Sequence, residues 1–236
     1  MRRIALVVAG ALALAVTHLM GLAAAQDEPP LCGPPGEEVP ATIVGSGTIV
    51  GTAGDDVIVG SDEDDTILGL GGDDIICGEG GNDRVLGGDG NDVLIGDGVE
   101  APPFIPSNGQ NDDVLIGGPG DDTLAGLGGD DDLLGGPGDD QLIGMGGNDR
   151  ILGGPGDDTA FGGPLDDSIA GNAGDDTLWG NFGSDAISGG PGDDFIDGDN
   201  PFPPPPGPLP FPPGTNNDVC TGGPGTDIVD NCEVTS

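Results

Sequence analysis

The sequence lacks most of the residues on which catalysis and nucleic-acid binding depend. It has no lysine and no tyrosine, one histidine, one tryptophan and four arginines, against 43 acidic residues in a chain of 236. A chain so poor in cations cannot neutralise phosphates, which excludes nucleic acid and anionic membrane surfaces as direct partners. Serine and cysteine nucleophiles would also lack a basic side chain to activate them. A hydrolase that uses carboxylates alone stays open in principle. The composition predicts a protein that is not an enzyme.

Residues 1–25 have the features of a secretory signal peptide. Arg2 and Arg3 are followed by an apolar run from residue 4 to about residue 22 and by three alanines that end at Ala25. This order of regions predicts export, with cleavage after Ala25 and a mature chain that is secreted or held at the cell surface. The alternative is a retained membrane anchor, because the run approaches the roughly 20 residues that span a bilayer.

Cleavage would leave a mature chain with almost no positive charge. Arg84 and Arg150 would be its only cationic side chains, because His18 is lost with the signal peptide, and its net charge would be −41 on 211 residues. Such a composition is typical of a solvated, disordered acidic coil. Periodic apolar residues argue against a coil, provided that cations neutralise the acids.

Four cysteines in an exported chain predict two disulfides, for which three connectivities are possible. Cys220 and Cys232 flank the last repeat, and their pairing is favoured. Cys32 and Cys77 would then tie the N-terminal lead to the third repeat. Zinc binding is the rival interpretation, but no two cysteines are closely spaced and the mature chain has no histidine.

A nine-residue period runs from Gly51 to Asp230 and dominates the chain. In the pattern of residues 135–143, glycines occupy positions one, two and four, aspartate occupies position six, and an apolar residue occupies position eight. Position eight departs from Ile, Leu or Val only at Ala160 and Cys220. Seventeen aspartates stand at position six: Asp56, Asp65, Asp74, Asp83, Asp92, Asp113, Asp122, Asp131, Asp140, Asp149, Asp158, Asp167, Asp176, Asp185, Asp194, Asp218 and Asp227.

The period predicts a turn followed by a short strand in every repeat. The glycine-rich positions one to six are unsuited to helix or continuous strand, whereas positions seven to nine are apolar or β-branched and make a minimal strand. Because side chains alternate across a strand, position eight points to one side and positions seven and nine point to the other. Two repeats then make one eighteen-residue coil with the position-eight side chains inside.

The motif Gly-Gly-x-Gly-x-Asp-x-apolar-x resembles the repeats-in-toxin (hemolysin-type) nonapeptide family across residues 51–230, apart from two interruptions. The resemblance implies an all-β, right-handed parallel β-roll (a solenoid) with eighteen residues per coil, in which Ca²⁺ sits between stacked turns. The position-six aspartates and turn carbonyls would be its ligands, and the turns of alternate repeats would stack along each edge. One edge would hold Asp122, Asp140, Asp158, Asp176 and Asp194, and the other Asp131, Asp149, Asp167 and Asp185.

The residue chemistry favours the same ion independently of the family. Ca²⁺ accepts six to eight oxygen ligands in a flexible geometry, whereas soft metals would need thiolate or imidazole ligands. No loop has the spacing of an EF-hand. Seventeen stacked turns allow at most about 15 ions, and Glu63, Leu165 and the two interruptions on the even-numbered edge predict fewer. Because the position-eight core is small, we expect the roll to fold only with Ca²⁺.

The segments outside the regular repeats have their own predicted roles. Residues 26–50 form an N-terminal lead whose part 42–50 keeps the period without aspartate and is predicted to be a metal-free cap; residues 231–236 are a tail. Proline-rich loops interrupt the roll at 98–110 and 199–215. Their phenylalanines, Phe104, Phe202 and Phe211, are candidate contacts, as are the apolar residues at position nine, which could support self-association.

Three functions remain open. The leading one is an exported, non-enzymatic calcium-binding protein. The second is a calcium-dependent structural or adhesive module of the cell envelope that uses the loops or the flat faces of the roll. The third is the secretion or stabilising tail of a toxin or hydrolase, which fits less well because no catalytic domain precedes the repeats.

Overall fold

The structure is a computed structural model that describes residues 30–33, 39–98, 111–199 and 218–234. The predicted signal peptide and nearly all of both proline-rich loops, with Phe104, Phe202 and Phe211, lie outside these residues. None of the described residues belongs to a helix, so none forms a helix that could cross a bilayer.

The described residues form 22 short strands. They are β1 (Leu31–Cys32), β2 (Val39–Pro40), β3 (Ile43–Val44), β4 (Thr48–Val50), β5 (Val57–Ser61), β6 (Thr66–Gly71), β7 (Ile75–Glu79), β8 (Arg84–Asp89), β9 (Val93–Asp97), β10 (Val114–Ile116), β11 (Thr123–Gly128), β12 (Asp132–Leu134), β13 (Gln141–Gly146), β14 (Arg150–Pro155), β15 (Thr159–Pro164), β16 (Ser168–Ala173), β17 (Thr177–Phe182), β18 (Ala186–Ser188), β19 (Phe195–Asp197), β20 (Val219–Thr221), β21 (Ile228–Asp230) and β22 (Glu233–Val234).

Two parallel sheets make up the roll. The odd sheet contains the odd-numbered strands from β3 to β21, and the even sheet contains the even-numbered strands from β4 to β22. The chain alternates between the sheets, and paired residues within each sheet are usually eighteen positions apart, as in the pairing of Leu124 with Leu142 and of Leu133 with Ile151. The predicted parallel β-roll, with two nine-residue repeats per coil, is therefore confirmed.

A single file of position-eight side chains fills the space between the sheets. From Ile49 to Cys220 each of these side chains is at most 5 % exposed, and together they form one continuous cluster. Ala160 and Cys220, which replace larger residues, are as buried as the others. Positions seven and nine point away from this core, as the alternation predicts.

The N-terminal lead covers part of the outer face of the odd sheet. Strands β1 and β2 pair antiparallel, and Cys32 joins Cys77 in a disulfide. Cys32 packs with the position-nine side chains of Val59, Cys77 and Ile95, all at most 5 % exposed. Position nine thus points outward, but in these first coils it is buried under a segment that the repeat pattern does not describe.

Both ends of the roll are extended by irregular strands. At the N-terminus, β3 pairs with β5 and β4 pairs with β6, so residues 43–50 stack as an additional coil. At the C-terminus, β22 pairs with β20, and a disulfide joins Cys220 to Cys232. Of the three possible connectivities, the structure contains the one favoured from the sequence.

The two outer faces differ in composition. On the odd sheet Phe161 and Trp179 stack with ring centroids 4.5 Å apart, and Phe195 lies 6.0 Å from Trp179 in a tilted arrangement. On the even sheet Arg150 and Asp132 form an exposed ion pair at 3.7 Å. Exposed pairs of this kind contribute little to stability, about 0 to 1 kcal/mol.

Candidate metal centre

The position-six aspartates form two ladders, one along each edge of the roll. In each step the backbone N–H of one aspartate donates to Oδ1 of its equivalent in the following coil, as from Asp122 to Asp140 at 2.8 Å. The odd edge runs through Asp56, Asp74, Asp92, Asp122, Asp140, Asp158, Asp176, Asp194 and Asp227. The even edge runs through Asp65, Asp83, Asp113, Asp131, Asp149, Asp167, Asp185 and Asp218.

The second carboxylate oxygen of most of these residues is buried and has no hydrogen-bond partner. Fourteen Oδ2 atoms share this state: those of Asp74, Asp83, Asp92, Asp113, Asp122, Asp131, Asp140, Asp149, Asp158, Asp167, Asp176, Asp185, Asp194 and Asp218. Buried polar atoms are normally satisfied, and a buried charge without a partner is more costly still. A regular row of orphaned carboxylate oxygens therefore indicates a ligand that the polypeptide does not supply.

Glycine at position one makes room for this oxygen. A Cβ on Gly135 would collide with Oδ2 of Asp140 and would approach the carbonyl oxygen of Gly153 in the next coil to 2.8 Å. At position four, Gly138 has a φ of +148° and lies directly against the carbonyl oxygen of Gly120 in the preceding coil. The glycines thus place carboxylate and carbonyl oxygens side by side between stacked turns.

Burial is the largest cause of a raised pKa in both ladders. It raises the pKa of Asp140 to about 6, although the N–H of Asp122 opposes the shift, and it raises the pKa of Asp131 to about 9 against the N–H of Asp113. Neighbouring carboxylates raise both values further. The same causes raise the pKa of Asp167 to about 9. Without a cation, the folded roll would therefore hold many of these groups protonated near neutral pH.

The first aspartate of each ladder, and Asp227 at the end of the odd ladder, are in a different state. Oδ2 of Asp56 accepts the N–H of Thr52 at 2.6 Å, and Oδ2 of Asp65 accepts the N–H of Ser61 at 2.7 Å. Asp227, in the last repeat, is only half-buried. All three have the predicted position, but none has an orphaned buried oxygen. The ladder of the even edge begins at the predicted cap, where the N–H of Gly47 donates to Asp65.

A second polar ladder occupies position five and was missed in the sequence. Here the side chain accepts from the following coil, opposite to position six: Oδ1 of Asp139 accepts the N–H of Asp157 at 2.9 Å, and Asp139 itself donates to Asp121 at 3.0 Å. These groups are exposed. The sequence contains a sign of this ladder, because position five is Asp or Asn in fifteen of the seventeen repeats. That composition does not by itself predict a ladder, since aspartate and asparagine are common in turns of every kind.

The hydrogen-bond ladder of the even edge continues across both interruptions. Across the first loop the N–H of Asp83 donates to Asp113 at 2.7 Å, and across the second the N–H of Asp185 donates to Asp218 at 2.7 Å. Leu165 also fits at position four, where it adopts a φ of +85°. Leu165 is accommodated because its turn keeps the stacked position, with the Leu165 carbonyl oxygen directly against Gly183 of the next coil.

The donor set between stacked turns fits a hard divalent cation. Each gap offers two carboxylates and several backbone carbonyls, all oxygen ligands of the kind that Ca²⁺ prefers. Both disulfides remove the thiols that softer metals would need. Within the described ranges no three acidic, imidazole or thiol side chains converge on one point, so an ion here would require the turn carbonyls as well as the carboxylates.

Fold and site together define a β-roll with a ladder of buried aspartates along each edge. A family model described as the RTX calcium-binding nonapeptide repeat (4 copies) matches residues 50–85, 78–98, 107–142, 134–169 and 161–196. These segments cover more than half of the sequence, so the chain belongs to the RTX calcium-binding nonapeptide repeat family. No curated protein matches the chain.

Proposed function

We propose that this is an exported, non-enzymatic calcium-binding protein whose roll folds as ions bind between its turns. The observation that carries the proposal is the row of fourteen buried, unpartnered Oδ2 atoms. The predicted signal peptide and the two disulfides support export, because disulfides persist in oxidising compartments. The absence of catalysis is supported by repetition, since all the buried acids except Asp97 and Asp197 occupy position six.

The residues proposed to hold Ca²⁺ are the position-six aspartates, together with turn carbonyls. Where two neighbours in a ladder both have an orphaned Oδ2, the gap between them is a candidate site. Six such gaps lie on the odd edge, from Asp74 to Asp194, and six on the even edge, from Asp83 to Asp218. We therefore expect about twelve strong sites, with Asp56, Asp65 and Asp227 contributing weaker ones, because metal affinity follows the number of available charged ligands.

The chain's own residues couple ion binding to folding. In the fourteen aspartates with an orphaned Oδ2, Oδ1 accepts an N–H from the preceding coil and Oδ2 is left for the ion, so both functions depend on one side-chain conformation. When bound, Ca²⁺ supplies the positive charge that neutralises the stacked carboxylates. Because the stacked carboxylates need this charge in order to be buried, we expect the chain to fold only when the ion binds.

A calcium titration of the mature chain tests the proposal. We expect far-ultraviolet circular dichroism at neutral pH to change from coil to β structure as Ca²⁺ is added, with a blue shift in the emission of Trp179, the single tryptophan. Isothermal titration calorimetry should count about twelve ions. Mg²⁺ at the same concentration is the control, because it prefers a small octahedral site and keeps its water. A β spectrum that persists in excess chelator at neutral pH would contradict coupled folding.

A second candidate is a calcium-dependent adhesive or structural module of the cell envelope. The outer face of the odd sheet favours it, because Phe161, Trp179 and Phe195 form an aromatic row there. Clustered aromatic residues are enriched at contact surfaces. Replacement of Phe161 by Ser should then abolish calcium-dependent attachment to envelope polymers without changing the number of bound ions. Unchanged attachment by this variant would contradict the adhesive function and leave calcium binding as the one proposed function.

A further inference from the structure

The first proline-rich loop replaces a single residue of its turn. Asp97, at position two, still pairs with Glu79 in the preceding coil of the odd sheet. The regular stacking resumes at Asn111, at position four: a Cβ on Gly129 would collide with the carbonyl oxygen of Asn111, just as a Cβ on Gly138 would collide with that of Gly120. The loop of thirteen residues from 98 to 110 therefore stands where other turns have only position three.

Two side chains close the base of this loop. Nδ2 of Asn111 donates a hydrogen bond of 2.6 Å to Oδ1 of Asp97. Asp97 also accepts the backbone N–H of Gly128 in the next coil and is only 6 % exposed. One buried carboxylate thus joins both ends of the loop and ties them to the adjacent turn.

The closed base lies beside the even-edge ladder. Asp113, two residues after Asn111, belongs to two gaps, one shared with Asp83 and one with Asp131. The charge of Asp97 acts on all three of these carboxyl groups. Any displacement of Asn111 would move Asp113, and with it both gaps.

The same residue pair occurs at the other interruption and in no uninterrupted repeat. The second loop follows Gly198-Asp199, and the chain returns through Asn216-Asn217-Asp218, so aspartate again has position two and asparagine position four. None of the other fifteen repeats combines these two residues. Residues 200–217 lie outside the described ranges, so this second case rests on the sequence alone.

We infer that Asp97 and Asn111 form a side-chain clamp that takes the place of position three and keeps the ion sites beside the loop in register. Asp97 is a positioning residue in this role, and the inference rests on the proposed calcium-binding function. The clamp makes the turn tolerant of inserted chain, because it joins the residues on either side of the loop directly. The combination of aspartate at position two and asparagine at position four thus marks a turn that can carry a loop.

An exchange of the two side chains tests the clamp. Asn111→Asp adds a negative charge and replaces the hydrogen bond by two facing carboxylates. A simple count of charges predicts tighter cation binding by this variant, whereas the clamp predicts the loss of the two ions around Asp113. Adding Asp97→Asn restores both the wild-type charge and an Asn–Asp pair, so the double variant should recover the wild-type number of ions. Asn148→Asp, which adds a charge at an exposed position five of the same edge, is the matched control and should lose none.

Two measurements separate this inference from the proposed function. Calorimetric titration of the wild-type chain with Ca²⁺ tests ion binding itself. Hydrogen exchange at the backbone amides of Asp83 and Asp113 is compared among the variants under conditions in which the wild-type roll is folded. This comparison tests the clamp independently of ion binding. We expect at least tenfold faster exchange in Asn111→Asp and recovery in the double variant. Equal exchange and ion number in Asn111→Asp and wild type, or no recovery in the double variant, would overturn the clamp.

Discussion

The backbone N–H of Asp140 donates a hydrogen bond of 2.8 Å to Oδ1 of Asp158, its equivalent in the next coil. Oδ2 of Asp158 is buried and has no partner. One oxygen therefore holds the coils together while the other faces the gap between them. This division of the carboxylate relates the stability of the roll to its proposed ion sites, and it can be tested by substitution, by pH and by disulfide removal.

Replacement of two adjacent aspartates should distinguish the role of position six from that of position five. Asp140→Ala removes a coil-to-coil hydrogen bond and a ligand of two gaps, so we expect the loss of about two ions and a higher calcium midpoint for folding. Asp139→Ala removes an exposed hydrogen bond worth about 1 kcal/mol and should shift the midpoint much less. Calcium titrations followed by circular dichroism compare them. Equal shifts would refute the assignment of position six as the ligand.

The pH dependence of folding should reverse when calcium is added. Folded-state pKa values are raised to about 6 at Asp140 and to about 9 at Asp131 and Asp167. Without calcium, the folded state therefore binds more protons than the unfolded chain. The resulting stabilisation is fully present below the ordinary aspartate pKa of about 4 and is lost as pH rises through the raised values.

Circular dichroism in chelator should therefore show β structure increasing as pH falls from about 9 to about 4. In saturating calcium the sign is opposite, because protons compete with the ion for the same oxygens and stability should fall as pH falls. Identical pH profiles with and without calcium would show that these carboxyls do not bind the ion.

The space beside the orphaned oxygen can be tested with one methyl group. In Gly135→Ala the new Cβ would collide with Oδ2 of Asp140, so we expect destabilisation of about 1 to 3 kcal/mol and weaker calcium binding. Gly54→Ala is the matched control, because a Cβ there meets nothing within 4 Å. Its effect should remain within about 0.5 kcal/mol in calcium-dependent thermal unfolding. A Gly135→Ala protein as stable as Gly54→Ala would contradict the crowding of this oxygen.

Removal of the C-terminal disulfide should affect one end of the roll. Cys220→Ser with Cys232→Ser opens a loop with a sequence separation of 12, which in the chain-entropy view costs about 3 kcal/mol. Because Cys220 ends the core file while the ladders continue toward the N-terminus, we expect faster hydrogen exchange in β20 to β22 and little change near β11. The measurement is exchange resolved by peptide mass spectrometry. Uniformly faster exchange along the roll would show that the disulfide stabilises the whole fold.

Much of the architecture could be predicted because each feature depends on a short period. Leu142 is buried and Ile143 points outward because side chains alternate along a strand. Asp140 and Asp158 share an edge because two nine-residue repeats return the chain to the same place. The choice of a hard cation also needed only the residue types, since carboxylates and glycine carbonyls supply oxygen alone.

Features that depend on irregular segments could not be predicted in this way. The burial of Val59 under the lead depends on the placement of Cys32, which lies outside the repeat pattern. The hydrogen bond between Asp97 and Asn111 joins residues on either side of a loop. Periodicity says nothing about either, because both follow from where non-repeating residues are placed in space.

The sequence by itself determined the coil, its core and its two edges, because repetition every nine residues leaves few other ways to bury the position-eight side chains. Only the tertiary structure decided how the aspartates differ. Stacking engages Oδ1 from Asp74 onward on the odd edge and from Asp65 onward on the even edge. Oδ2 is orphaned from Asp74 to Asp194 and from Asp83 to Asp218, and it is satisfied by the turn itself at Asp56 and Asp65. The reason is physical: the hydrogen-bond partners of each oxygen come from a neighbouring coil or from the residues of the local turn, and neither is specified by the repeat motif.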